Sequence, residues 1–125
     1  MIFDTDVLIW TFRGSRKAAA CIEGSEDRSI SVISLMELLQ GARDGRDARL
    51  IKDFLRSFGF RTVPLTENIG HRAVIYMEQH ALRSGLRVAD ALIAATAVEN
   101  VQPLLSGDSR HFRTIAGLDL IAFKS

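Results

Sequence analysis

The sequence predicts a three-layer α/β/α sandwich with a mostly parallel central sheet of about five strands. Short apolar or alternating segments, typical of buried strands, alternate along the chain with longer amphipathic or apolar segments, typical of helices. Parallel neighbours in a sheet need helical crossovers, and the handedness of such crossovers is nearly fixed. There is no internal repeat, low-complexity segment or linker, so we expect one domain over residues 1–125.

Composition places the chain among ordinary globular proteins. Apolar residues make up 47%, charged residues 25%, and the net charge is +1. No apolar run is long enough and free enough of charge to span a bilayer. An acid at position 4, where a secretory signal would be basic, predicts no signal peptide. The single cysteine, Cys21, predicts a reducing cytoplasmic location and a small buried apolar side chain.

The basic residues are mostly arginine, with 13 Arg among the 16. Arginine suits bidentate contact with phosphate groups, as in nucleic acid recognition. A GC-rich genome would give the same bias, so both explanations stay open.

The first third of the chain predicts strand, helix, helix and strand. Residues 1–5 are short and apolar, typical of a strand buried on both faces, and residues 7–12 predict the first helix. Ser15 is a suitable N-cap for a second helix over residues 16–23, which Gly24 would end. Residues 28–32 alternate and are β-branched, which predicts the second strand.

The middle of the chain predicts three helices and one strand. Ser34 followed by Glu37 is typical of a capping box, which predicts a helix running to about residue 44. Residues 47–58 carry an apolar face and predict another helix. Pro64 within the strand predicted over 60–65 indicates a position at or near a sheet edge. Thr66 predicts the N-cap of a long helix over 67–83.

The stretch V-A-D-A-L-I-A-A-T-A-V, residues 88–98, is apolar on nearly every side and predicts a buried central helix. Asp90 is its one charge, and a carboxylate there is costly unless something compensates it. Either Asp90 caps the helix or pairs with Arg87, or it is kept for chemistry. Residues 101–105 predict a strand, His111-Phe112 a turn, and residues 118–123 the last strand.

Four acids are predicted to meet at one edge of this sheet. They follow strand ends or begin helices, at Asp4, Glu37, Asp90 and Asp108. In a parallel sheet these positions share the edge where ligands bind, at the point where strand order reverses. Two unit charges 4 Å apart cost roughly 4 kcal/mol at an effective dielectric of 20, so the cluster needs protons or bound cations. Carboxylate oxygens suit Mg²⁺ or Mn²⁺, which can activate water for displacement at phosphorus.

Other chemistries have less support. His71, His80 and His111 lack the spacing of a zinc site, so we expect them to be structural or surface residues. No serine or cysteine has a paired base at a recognisable spacing, which argues against a covalent nucleophile.

Four segments resemble the motifs of PIN domains, and in particular those of the VapC-type ribonuclease toxins of bacterial toxin–antitoxin pairs. They are F-D-T-D-V-L-I at 3–9, S-L-M-E-L-L-Q-G at 34–41, A-D-A-L-I-A-A-T-A at 89–97 and L-S-G-D-S-R-H-F at 105–112. The resemblance runs from end to end in matching order and spacing. One such motif is weak evidence, whereas four in register are strong evidence.

The resemblance implies a role for each acid. Asp4, Glu37, Asp90 and Asp108 correspond to the acidic metal site, with Asp108 where many members carry Asn. Two further residues are implied as supporting residues, Asp6 and Ser106, the latter where a Thr is common.

The resemblance also implies an activity and partners. It implies Mg²⁺-dependent RNA cleavage that leaves 3′-hydroxyl and 5′-phosphate ends. It implies a homodimer and a VapB-like antitoxin whose C-terminal segment lies across the active-site groove. Trp10 and Phe12 are either groove residues for that segment or ordinary core side chains.

Three alternatives remain at this stage. Asp4 and Asp6 also fit the D-x-D nucleophile motif of haloacid-dehalogenase-type phosphatases, but no lysine lies in the expected place. A phosphoacceptor receiver domain is similar in length, but strand three, ending near Pro64, lacks the acceptor acid. A PIN fold kept only for binding would not need all four acids. The sequence does not indicate which RNA is cut, which antitoxin binds or how many metals are held.

Overall fold

The computed structural model describes residues 1–125 and has one parallel sheet of five strands. The strands are β1 (Ile2–Phe3), β2 (Ser29–Ser31), β3 (Arg61–Val63), β4 (Leu104–Ser106) and β5 (Leu120–Ala122). All neighbours pair in parallel, in the order β3-β2-β1-β4-β5. This confirms the predicted sheet, and it places β3, the strand followed by Pro64, at an edge.

Seven helices connect and cover the strands. They are α1 (Thr5–Phe12), α2 (Arg16–Glu23), α3 (Val32–Gln40), α4 (Gly45–Ser57), α5 (Glu67–Ser84), α6 (Val88–Glu99) and α7 (Ser109–Phe112). None of them combines the length and the apolar character that crossing a membrane requires.

Alternating strand side chains divide the core into two clusters, one on each face of the sheet. Ile2 and Leu104, neighbours in the β1–β4 register, pack into the cluster formed with α5, α6 and α7. Phe3 and Leu105, the next pair, pack into the cluster formed with α1 to α4. Successive residues of a strand point to opposite faces, so two apolar neighbours on each strand bury both faces of the sheet. The three-layer α/β/α sandwich is thereby confirmed.

Helix α6 is the buried central helix that its composition predicts. Ala91, Ala94 and Ala95 are fully buried, and Ile93 is 1% exposed. The small alanine side chains allow α5 to pack closely along α6.

Three predicted helix starts are wrong, because in each case a residue earlier in the chain is the N-cap. Helix α1 begins at Thr5, two residues early, with Asp4 as its N-cap. Helix α3 is capped by Ser31, whose hydroxyl accepts from the backbone N–H of Ile33 at 3.0 Å. The capping box of Ser34 and Glu37 is therefore wrong. Asp44 caps α4 and is not the end of the preceding helix, which stops at Gln40.

The later strands are shorter than predicted. Strand β4 begins at Leu104, because Val101 adopts a φ of 52°, which a strand cannot contain. The predicted turn at His111 is the short helix α7, and the last strand covers Leu120–Ala122 only.

Three side chains for which burial in the core is one prediction are at most partly buried. Trp10 is 39% exposed and Phe12 is 41% exposed, so the interpretation of these two as ordinary core residues is wrong. Cys21 is only partly buried, at the edge of the α1–α4 cluster, and makes no disulfide.

Candidate active site

The candidate site lies where the strand order of the sheet reverses. Strand β1 has β2 on one side and β4 on the other, so the connections leaving β1 and β4 diverge from one another. Ligands of open parallel sheets bind in the crevice that opens at such a point. Asp4 immediately follows β1, and Ser106 is the last residue of β4. The backbone N–H of Asp4 donates to the Leu105 carbonyl at 2.9 Å, which holds these two strand ends side by side.

Asp4 is the acid of the site that is buried, with 6% of its surface exposed. Its Oδ1 accepts from the backbone N–H of Thr5 at 2.8 Å, and its Oδ2 accepts from the Ser106 hydroxyl at 2.6 Å. Burial, and secondarily the charge of Asp6, raises the pKa of Asp4 to about 7, although both hydrogen bonds act in the opposite direction. The ionised form of Asp4 is therefore destabilised by its surroundings.

Asp108 is held by its own short helix. The Asp108 side chain caps α7 by accepting from the backbone N–H of His111 at 3.3 Å. Its other oxygen, Oδ2, lies 2.7 Å from Nδ1 of the His111 ring. The backbone N–H of Asp108 donates to Ser106 Oγ at 2.9 Å. The Ser106 hydroxyl therefore connects Asp108 to Asp4.

Asp90 lies at the start of α6 and caps the helix in part. Its Oδ2 accepts from the backbone N–H of Arg87 at 3.3 Å, while the Arg87 guanidinium makes no ion pair with it within 4.0 Å. Burial raises the pKa of Asp90, and the charges of Asp108 and Glu37 raise it further. The capping interpretation is thus correct for one oxygen, but the carboxylate also lies within the field of two other acids.

Glu37 reaches the site from α3 through a hydroxyl group. The Thr5 hydroxyl lies 2.7 Å from Glu37 Oε1 and 2.8 Å from the hydroxyl of buried Ser34. Because a carboxylate only accepts, Thr5 donates to Glu37 and accepts from Ser34. Ser34 therefore supports the site from beneath instead of capping α3.

Asp6 is a fifth acid at the same place. Its Oδ2 accepts from the backbone N–H of Gly107 at 3.0 Å, and its Oδ1 is buried without a hydrogen-bond partner. Burial raises the pKa of Asp6, and the charges of Asp108 and Asp90 raise it further. A Cβ at position 107 would lie 2.7 Å from Asp6 Oδ2, so only glycine allows this approach.

The tightest group of potential metal ligands contains a residue that sequence reasoning placed elsewhere. One ligand atom each from Asp90, Asp108 and His111 lie within 4.8 Å of one another. His111 was expected to be structural or superficial, and its place in the L-S-G-D-S-R-H-F segment, three residues after Asp108, was the available signal. His71 is exposed on α5, as predicted.

The donor set fits a hard divalent cation. Three carboxylates have raised pKa values, and a buried oxygen of Asp6 lacks a partner. A bound cation would relieve both the mutual repulsion and the desolvation of these groups. Carboxylate oxygens with at most one imidazole nitrogen are suited to Mg²⁺ or Mn²⁺.

An apolar groove of about 1060 Å³ opens beside the acids, between α1, α3 and α4. Phe12, Leu50 and Phe54 are among its apolar walls, and Glu37 and Arg43 are among its charged residues. Phe12 lines this groove, whereas Trp10 does not. Glu37 belongs to both features, so the groove runs up to the acidic site.

Comparison with solved structures finds the same fold in toxin–antitoxin assemblies. A toxin–antitoxin complex from Klebsiella pneumoniae matches with a TM-score of 0.81 and 27% identity, over 97% of this chain and 95% of the other. VapBC2 from Rickettsia felis, bound to a DNA fragment from its promoter, matches with a TM-score of 0.82 and 18% identity, over 99% and 100% of the two chains. DNA-bound VapBC from Salmonella typhimurium matches with a TM-score of 0.82 and 20% identity, over 97% and 96%.

Comparison at the level of sequence gives the family. A search among curated proteins finds no significant match. The family described as PIN domain matches residues 1–118, which includes every acid of the site. The chain therefore belongs to the PIN domain family.

Proposed function

We propose that this protein is a divalent-metal-dependent endoribonuclease and the toxin of a VapC-type toxin–antitoxin pair. The observation that carries the proposal is the group of carboxylates, Asp4, Asp90 and Asp108, gathered where the strand order reverses at β1 and β4. Proteins of the PIN domain family are nucleases. The likeness to the complex from Klebsiella pneumoniae supports the toxin assignment. The phosphatase and receiver alternatives based on Asp4 and Asp6 are not favoured by the family assignment.

In this proposal Asp4, Glu37, Asp90 and Asp108 hold Mg²⁺ or Mn²⁺. The cation, when bound, supplies a water of lowered pKa and stabilises negative charge at the scissile phosphate. Ser106 orients Asp4 through the 2.6 Å hydrogen bond, and Asp6 orients the turn after β4 through Gly107. The expected products carry 3′-hydroxyl and 5′-phosphate ends.

We further propose that the apolar groove receives the C-terminal segment of a VapB-like antitoxin. Phe12, Leu50 and Phe54 would contact apolar side chains of that segment, since exposed apolar grooves of this size are typical of peptide-binding sites. Because the groove includes Glu37, a segment lying in it would cover the approach to the acids. Inhibition would then follow from occupation of the site itself.

A homodimer is proposed through the outer face of α5 and α6. Val74 on α5 and Val88 on α6 are 59% and 62% exposed, and they line one shallow apolar depression together with Met77 and Leu92. Such a face is costly in water and is well suited to pairing with its own copy across a two-fold axis.

The single free cysteine is consistent with a cytoplasmic site of action.

The central test is RNA cleavage with controlled metal. We expect the purified protein to cut RNA internally with Mg²⁺ or Mn²⁺, and EDTA to abolish the reaction. Asp90→Asn should be inactive, whereas Glu26→Gln, an exposed acid remote from the site, should retain full activity. Full activity in EDTA with cyclic phosphate ends would contradict the metal mechanism. Release of phosphate from small esters, or phosphorylation of Asp4, would instead indicate one of the rival classes.

The toxin assignment has a separate test. Brief expression without antitoxin should arrest growth, and expression of Asp90→Asn should not. Equal growth with both proteins would contradict the toxin role and leave the nuclease proposal standing. Mapping the new 5′ ends of cellular RNA after expression would identify the substrate.

A further inference from the structure

We propose that His111 is a positioning residue that holds the Asp108 carboxylate in its metal-binding orientation toward Asp90. This inference rests on the proposed function and adds to it a residue that was predicted to be structural or on the surface. It concerns the assembly of the ligand set and assigns His111 no contact with the substrate.

His111 contacts both oxygens of the Asp108 carboxylate. The backbone N–H of His111 donates to Oδ1 of Asp108 at 3.3 Å, and ring Nδ1 lies 2.7 Å from Oδ2. Since an ionised carboxylate only accepts, Nδ1 carries the proton in this contact. With both oxygens engaged by the same residue, neither side-chain torsion of Asp108 is free to turn. Each oxygen keeps further lone pairs that can face a cation.

The surroundings of His111 place it near the end of α5. The next residue, Phe112, is fully buried and anchors α7 in the core. Ring Nε2 lies 3.9 Å from the position that a Cβ at Gly85 would occupy. Gly85 ends α5, and the turn that follows it leads into the start of α6 and Asp90. His111 thus lies on the helix that Asp108 caps and beside the turn that leads to Asp90, and its side chain is 25% exposed.

Removing the hydrogen bond from His111 Nδ1 to Asp108 should lower the affinity for the metal. Residues that orient metal ligands typically change affinity or activity by about 10- to 100-fold when mutated. An asparagine side-chain amide can reach the position of Nδ1, whereas a glutamine amide reaches the position of Nε2. The two amides therefore separate the hydrogen bond to Asp108 from any other property of the ring.

The experiment is calorimetric titration of Mn²⁺ into wild type, into Asp90→Asn, and into the variants His111→Leu, His111→Gln and His111→Asn. We expect His111→Leu and His111→Gln to weaken Mn²⁺ binding by about 10- to 100-fold, and His111→Asn to recover most of the loss. Exposed His71 on α5 gives the matched control, since His71→Leu should bind as wild type does. Thermal unfolding in EDTA checks that each variant is folded. Should His111→Leu fail to fold, the contrast between Gln and Asn still decides the matter.

Three outcomes would overturn the inference. Unchanged Mn²⁺ affinity in both His111→Leu and His111→Gln would show that metal binding does not need the hydrogen bond from Nδ1. Equal weakening in His111→Asn and His111→Gln, both folded, would assign the effect to the ring and not to the donor at Nδ1. If wild type and Asp90→Asn bind Mn²⁺ equally poorly, the proposed metal site fails and the inference fails with it. That result is distinct from the first two, in which wild type binds.

Discussion

The Ser106 hydroxyl donates a 2.6 Å hydrogen bond to Oδ2 of Asp4, across 102 positions of the chain. The same hydroxyl accepts from the backbone N–H of Asp108 at 2.9 Å. One fully buried oxygen at the end of β4 thus connects the acid that follows β1 to the acid that begins α7. The acids depend on one another through neutral groups as well as through their charges.

Ser106→Ala should destabilise the protein by about 1–3 kcal/mol at pH 7, the usual cost of leaving buried polar groups unpaired. The substitution removes the donor to Asp4 and the acceptor for the Asp108 N–H. Ser29→Ala on β2 is a matched control, because its fully buried hydroxyl has no partner and its loss should be neutral or stabilising. Urea unfolding of both variants measures the difference. Equal effects of the two substitutions would mean that the Ser106 hydrogen bonds contribute nothing to stability.

The metal-free protein should lose stability as pH rises from about 4 to about 7. The pKa of Asp4 is about 7 in the folded protein, well above its ordinary value of 3.8. The folded state therefore binds the proton more tightly, and ionisation of Asp4 works against folding. The stability that the protonated form contributes is present below pH 4 and is lost as pH rises through the folded pKa.

Asp4→Asn isolates this effect, because the amide cannot ionise. The free energy of unfolding of wild type minus that of Asp4→Asn should decrease with pH, by at most roughly 1.4 kcal/mol per pH unit for one proton. Denaturant titrations in EDTA at pH 5, 6, 7 and 8 give the two curves. If the difference does not vary with pH, Asp4 has an ordinary pKa in the folded protein.

Asp90→Asn should abolish activity and yet raise the stability of the metal-free protein at pH 7, by about 1 kcal/mol. The amide keeps an acceptor for the Arg87 N–H and removes a charge whose pKa is raised by burial, Asp108 and Glu37. The gain should shrink with Mg²⁺, which stabilises the folded wild type. It should also shrink as pH falls, because the raised pKa of Asp90 favours its protonation in the folded state over the unfolded state.

Thermal unfolding with and without Mg²⁺, at pH 5 and pH 7, measures the Asp90 effect. Asp53→Asn is the control, since Asp53 is exposed on α4 and its 3.6 Å contact with Arg56 is a surface ion pair worth little. A clear loss of stability in Asp90→Asn in EDTA at pH 7 would mean that the capping hydrogen bond of Asp90 stabilises the fold more than its charge destabilises it. Repulsion among the acids would then not be what destabilises the metal-free protein.

Gly107→Ala should destabilise the protein by about 1–3 kcal/mol through overpacking, since the new Cβ would lie 2.7 Å from Asp6 Oδ2. Gly45→Ala, at an exposed position with no neighbour closer than 3.8 Å, should cost nothing. Combined with Asp6→Ala, which removes the clashing oxygen, Gly107→Ala should lose much less stability than in the wild-type background. A double-mutant cycle by denaturant unfolding gives the coupling energy, and additive effects would show that Asp6 is not what confines position 107.

The pattern of apolar residues along the chain was sufficient to predict the α/β/α layers of this fold. The apolar pairs of β1 and β4 and the alanine-rich α6 predict a buried parallel sheet and a central helix, because burial on both faces leaves little choice of architecture. The placement of Asp4, Glu37, Asp90 and Asp108 at one edge also followed, since parallel strands end together. The particular cap at each helix start did not, because adjacent polar residues such as Ser31 and Ser34 satisfy the same local rule.

Contacts between distant segments decided the rest. Whether Ser34 caps α3 or supports Glu37 depends on Thr5, which lies 29 positions away and meets it only after β1 and β2 pair. The position of His111 beside the Gly85 turn depends on how α7 packs against α6. Periodicity and spacing report which face a residue occupies along its own element. Which donor meets which carboxylate is set by the distances between elements, and only the packed sheet and helices determine those.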